Sequence, residues 1–213
     1  MIPRIPARRA RPVACRGIAV LAATLLLVAD TTSLGAQAPA SPHSRAPYSS
    51  LTVSVAASRQ ASSGRLDDYW DAGRGVRIDI HTPFYLGDAG LTATTLRYAT
   101  RTASQPGFRA IVAGANWRFP IGTTARLRPA LSVEAGNFMT IFDGDQPKGL
   151  GKESEIYAGG GASLGVAIAA GTAAVFGADA RHVFTSTPIR MVSLHAGIAH
   201  TFATPGWLRA VIE

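Results

Sequence analysis

From Tyr48 to Phe202 apolar and polar side chains alternate with a period of two, the pattern of strands that have one greasy and one polar face. In 190–202, Val192, Leu194, Ala196, Ile198 and Phe202 share one side, with Ser193, His195, Gly197, Ala199 and Thr201 on the other. In 174–184, Ala174, Phe176, Ala178, Ala180 and Phe184 oppose Gly177, Asp179 and Arg181. In 155–168, Ile156, Ala158, Ala162, Leu164, Val166 and Ile168 oppose Glu155, Tyr157, Gly159, Gly161, Ser163 and Gly165. In 125–135, Ala125, Leu127, Leu131, Val133 and Ala135 oppose Arg126, Arg128, Ser132 and Glu134, and in 110–119, Ile111, Ala113, Ala115, Trp117 and Phe119 oppose Gly114, Asn116 and Arg118. Three weaker segments precede these. Leu96 and Tyr98 oppose Thr95, Arg97 and Arg101; Val76, Ile78 and Ile80 oppose Arg77, Asp79 and His81; Leu51, Val53, Val55 and Ala57 oppose Thr52, Ser54 and Ser58. Eight such segments, each near the roughly 9–11 residues that a tilted membrane strand needs, predict an all-β chain closed into an antiparallel up-and-down barrel.

The connections alternate in length. Tight turns are expected at 120–124 and 169–172 and a moderate one at 83–90. On the opposite end fall two long loops, 59–73 and 140–153, with shorter ones near 102–107 and 185–189. Short turns on one side and longer loops on the other are the habit of transmembrane barrels.

Composition decides which face meets what. Of 213 residues 47% are hydrophobic and only 16% charged, and lysine occurs only at Lys148 and Lys152, so the exterior lacks the mixed charges of a water-facing surface. The polar faces are instead rich in Gly and Ser with a few charges of both signs, which suits a narrow lumen. The N-terminus has the tripartite form of a secretory signal: an Arg-rich start, the apolar run 17–28, and Ala36-Gln37-Ala38 as a cleavage site. That run is too short for a spanning helix, and Cys15, the only cysteine, is lost with the signal. The expected organisation is a cleaved signal over 1–38, a disordered Pro- and Ser-rich lead-in over 39–47, a barrel over 48–202 and a short tail over 203–213. Without residues 1–38 the formal charge of +8 falls to +4, since 16 basic and 12 acidic residues remain. They form no stripe with interleaved aromatics, which argues against nucleic acid.

The segments RPALSVEAGNF, YAGGGASLGV, VFGADARHVF and SLHAGIAHTF resemble strands of the small outer-membrane β-barrels of the OmpA/OmpX type, and the resemblance covers about residues 48–202. It implies residence in the bacterial outer membrane, contact with outer-membrane lipid, and handling by the barrel-assembly machinery. That machinery reads a final-strand aromatic; here Phe202 is followed by eleven further residues.

Within this frame three groups of residues are candidates. Arg77, Asp79, Arg97, Arg128, Glu134, Glu155, Asp179 and Arg181 are expected to face the lumen and pair there, because an isolated buried charge is very costly. Phe84, Tyr85, Trp117, Phe119, Phe184 and Phe202 are expected to form aromatic girdles at the two interfaces. Asp67, Asp68, Tyr69, Trp70 and Asp71 have the composition of a contact site, for an extracellular ligand of loops 59–73 and 140–153 or as an interfacial anchor. No catalytic residue, metal site or cofactor is expected. His81 and His195 are lone lumen histidines, the lipid-facing His182 and His200 lack a serine and an acid at matching depth, and GGGASLG at 159–165 lacks phosphate-loop spacing. The function expected is a structural or surface-interaction barrel plugged by paired charges. The alternatives are a narrow pore, a membrane-embedded lipid-modifying hydrolase, or a soluble periplasmic barrel with an apolar ligand inside.

Overall fold

The computed structural model describes residues 46–102, 105–122, 126–144 and 152–212. The signal, most of the lead-in, Cys15, Ala125 and the middle of the loop 140–153 lie outside the described residues. Eight strands make one closed antiparallel sheet: β1 (Ser50–Ser62), β2 (Arg74–Phe84), β3 (Gly87–Tyr98), β4 (Phe108–Pro120), β5 (Leu127–Phe142), β6 (Lys152–Ala169), β7 (Thr172–Val183) and β8 (Ile189–Ala203). Each strand pairs with the next, and β8 closes on β1 from Ser50 opposite Ala203 up to Ser62 opposite Val192. Closure removes the sheet edges that would otherwise be left unpaired. The tail forms a short helix, α1 (Gly206–Ile212).

The strands are longer than their sequence periodicity suggested, and the connections correspondingly shorter. The expected eight-residue connection at 83–90 shrinks to Tyr85-Leu86, flanked by the pair Phe84 and Gly87. Tyr85 takes φ 45°, the left-handed conformation that a two-residue hairpin turn demands. Gly171, with φ 71°, serves the same need between β6 and β7. At the other end β1 runs on to Ser62, and a 3-10 turn at Gly64–Asp68 folds the rest of that loop over the barrel mouth. Tight hairpins thus close one end of the barrel, the turn end, and longer connections the other, the loop end.

Large apolar side chains stand exposed around the outside, among them Ile78, Leu91, Leu131, Val133, Ile156, Leu164, Phe176 and Leu194. A continuous outward surface of this kind marks contact with something other than water. Inside, the lumen has two unlike halves. Toward the loops it is apolar: Leu96, Tyr98, Phe108, Ala110, Val112, Phe138, Tyr157, Val183 and Met191 form one buried cluster, with Leu66, Trp70, Phe142 and Ile189 packed against it. Toward the turns it is polar.

This division overturns one face assignment. Leu96 and Tyr98, read as the outer face of β3, are fully buried inside. Their neighbours Thr95 and Arg97 point outward. The period of two holds along β3, but the polarity inverts near the loop end, where the lumen turns greasy and the outer rim turns basic.

Candidate functional site

The polar half of the lumen is built by inward positions of β2, β5, β7 and β8. Arg77 is its hub. Its Nε donates to both carboxylate oxygens of Asp79 at 2.9 Å, its Nη1 donates to Asp179 Oδ2 at 2.6 Å, and its Nη2 lies 3.6 Å from Glu134. Arg181 donates through Nε to Glu134 and lies 3.6 Å from Asp179. Ser54 Oγ donates to Asp79 at 3.1 Å, and His195 Nδ1 lies 3.1 Å from Asp179. The side chains of all five charged residues are at most 9% exposed. Charges this deep persist only when paired and hydrogen-bonded, and here each guanidinium touches two or more carboxylates.

Small residues make the space. A Cβ at Gly177 would sit 2.4 Å from His195 Nε2, and one at Gly161 would sit 2.5 Å from Asp179 Oδ1, so glycine at both positions lets the opposite side chain lie flat on the wall. On the turn side of the cluster a polar cavity of about 30 Å³ remains, room for a few waters. Its lining includes Arg118, His81 and Asn116, the last two joined at 2.8 Å. Arg118 brings the local tally to three cations against three carboxylates. On the loop side, Arg181 lies 5.9 Å from the Tyr157 ring centroid and links the charged cluster to the apolar layer. Within that layer Tyr98 stacks on Phe108 at 4.3 Å and donates its hydroxyl to Gln60.

Five of the eight residues expected in the lumen network, Arg77, Asp79, Glu134, Asp179 and Arg181, are thus brought together. Three are not. Arg97 points outward, 72% exposed, and lies 3.8 Å from Asp143, because β3 inverts its polarity at that level. Arg128 has the inward parity but sits exposed at the turn-end rim of β5, and Glu155 is half-buried near the loop-end rim of β6. Arg118 and His195 are the members that the network of eight omitted, although both share the parity of the polar face.

The aromatics divide as their strand positions dictate. Phe84 packs edge-on against Tyr85 at 4.5 Å and Trp117 at 5.3 Å, and Trp117 neighbours Phe119, forming a patch at the turn end that Tyr48 extends. Phe202 lies at that end too, beside His200. Phe184 stands at the loop end against His182. In the loop, Trp70 is half-buried: it packs on Phe108 at 5.2 Å and donates its indole N–H to Pro106 O at 2.8 Å. Asp67 accepts from the Ser63 backbone N–H and hydroxyl, and Asp71 pairs with Arg101 at 2.9 Å. Those three residues are committed to holding the loop down, while Asp68 and Tyr69 stay exposed. Chemically, Ser54 bonds to a carboxylate and His81 to an amide, and His195 lies against Asp179 with no serine bonded to it among the described residues.

No protein-family model matches the chain, and no curated protein matches it significantly. Solved structures do. Neisserial surface protein A aligns with a TM-score of 0.57 at 17% identity, covering 74% of this chain and 100% of its own. The outer membrane protein OprG from Pseudomonas aeruginosa aligns with a TM-score of 0.52 at 8% identity, covering 74% of this chain and 97% of its own. With its closed eight-stranded meander, apolar exterior and a lumen polar in its turn-side half, the chain has the fold of the small outer-membrane β-barrels.

Proposed function

We propose that the protein is an outer-membrane barrel, exported by its N-terminal signal, whose lumen is sealed and which serves the envelope through its wall and loops rather than by conduction or catalysis. The observation that carries this reading is the filling of the lumen. The nine-residue apolar cluster occupies the loop-side half, and the Arg77–Asp79–Glu134–Asp179–Arg181 network sits directly beneath it. A permeant ion would have to cross the greasy layer without its hydration shell and then break buried ion pairs, and both steps are costly. The exposed apolar exterior supports the membrane setting, since side chains such as Ile156 and Leu164 otherwise face water. The 2.6–3.6 Å ion pairs act in this reading as register pins between β2, β5 and β7.

The test is reconstitution of the chain lacking residues 1–38 into planar bilayers, with heat-modifiable gel migration as the check on folding. A folded, inserted protein with no conductance above the bare bilayer is the expected result. A steady single-channel current would replace the sealed barrel with the narrow pore, and release from cells by osmotic shock without detergent would remove it from the membrane altogether.

A further inference from the structure

Four arginines occupy one continuous rung of the sheet. Arg59 on β1 faces Arg74 on β2, Arg74 faces Arg97 on β3, and Arg97 faces Arg109 on β4. All four are exposed on the outer wall. Like charges directly opposite one another across strands destabilise a sheet, so four in succession call for an anionic counterpart. Within the described residues the chain supplies little of it: Asp143 reaches Arg97 at 3.8 Å, and no acid pairs with Arg59, Arg74 or Arg109. The rung continues through Ile141 to Lys152, without an acid.

The position of this ridge identifies what it meets. On β2 and β4, ten residues separate Arg74 from Phe84 and Arg109 from Phe119. At about 3.3 Å per residue and a tilt of about 40° that is roughly 25 Å, the height of the apolar band of such a barrel. With the turn-end aromatics at one interface, the arginines lie at the other. Two residues toward the hydrocarbon the outward positions are Ala57, Val76, Thr95 and Ile111; two residues toward the loops they are Ala61, Ala72, Ala99 and Gly107. The small residues leave a shelf above the guanidinium groups, into which long side chains rise from an apolar footing. The rung itself climbs about 3 Å per strand as the strands tilt, so the ridge spans the depth of a headgroup layer.

Resting on the membrane reading above, we infer that Arg59, Arg74, Arg97 and Arg109 form a binding ridge for the phosphates of lipid headgroups in the leaflet at the loop end. Guanidinium forks take phosphate oxygens in pairs, and neighbouring strands space the forks so that one phosphorylated headgroup can bridge two of them. The partner is the membrane's own phosphorylated lipid, not a soluble anion.

The experiment uses the chain lacking residues 1–38 in phosphatidylcholine nanodiscs doped with lipid A, followed by mild detergent exchange and mass spectrometry of the lipid that stays bound. Lipid A retained above its mole fraction is expected, falling about fivefold with each Arg→Gln change and to the statistical level in the quadruple variant. The quadruple Arg→Lys variant should keep much of the retention, and Arg126→Gln with Arg128→Gln, at the turn end, should leave it unchanged. Equal retention by wild type and the quadruple Gln variant overturns the ridge, as does displacement of the lipid by millimolar inorganic phosphate. Heat-modifiable migration of every sample separates the two levels: a wild type that fails to insert refutes the membrane reading, whereas one that inserts without lipid enrichment refutes the ridge alone.

Discussion

Arg77 and Arg97 show what a single position can and cannot reveal. Both alternate with apolar neighbours, yet one is 5% and the other 72% exposed. What separates them is depth along the barrel, a property that emerges only when eight strands close and one end of the lumen fills with aromatics. Removing Arg77 strands Asp79 and leaves Glu134 and Asp179 to share Arg181, so Arg77→Met is expected to cost about 3–5 kcal/mol, read as a lower urea midpoint in detergent or lipid. Arg97→Met should leave that midpoint within about 0.5 kcal/mol. The glycine wall offers a matched pair. Gly177→Ala drives a methyl into His195 and should destabilise by about 1–3 kcal/mol, whereas Gly165→Ala meets its nearest atom at 3.5 Å and should be neutral.

All eight strands were legible from alternation alone, because a strand with one face on lipid or solvent and one in a lumen must alternate. Their ends were harder to place. The run Gly87-Asp88-Ala89-Gly90 has turn composition, yet its residues pair with Phe84, Pro83, Thr82 and His81, since the tight hairpin at Tyr85-Leu86 continues the ladder. Polarity near the loop end was misread on β3, where Leu96 and Tyr98 turn inward with Phe108 and Met191 to build the cap of the lumen; Tyr157, read on the inward face, lies there too. Leu66 and Trp70 of the loop 59–73 belong to that cap, while Asp68 and Tyr69 stay exposed. Trp70→Ala removes the indole bond to Pro106 and the packing on Phe108. Faster protease cleavage within 64–71, with heat-modifiable migration of the barrel preserved, is the expected outcome.

For the molecule as a whole, the outward apolar surface is the feature on which the membrane setting depends. Single cysteines at Leu164 and Val133, exposed at 38% and 54%, should resist a membrane-impermeant maleimide in intact membranes. Both should react once the protein is denatured in detergent. The two-storey lumen has an electrical corollary. The polar lower storey, with its ionic side chains and its cavity, is polarisable, whereas the layer of Tyr98, Phe108 and Phe138 is not, so most of a voltage applied across the barrel would drop within that thin septum. Carving a hole there, with Tyr98→Ala and Phe108→Ala together, should raise the bilayer current well above that of the wild type. Neutralising Arg77 and Asp79 together should change the current far less, if the greasy septum is the larger of the two barriers.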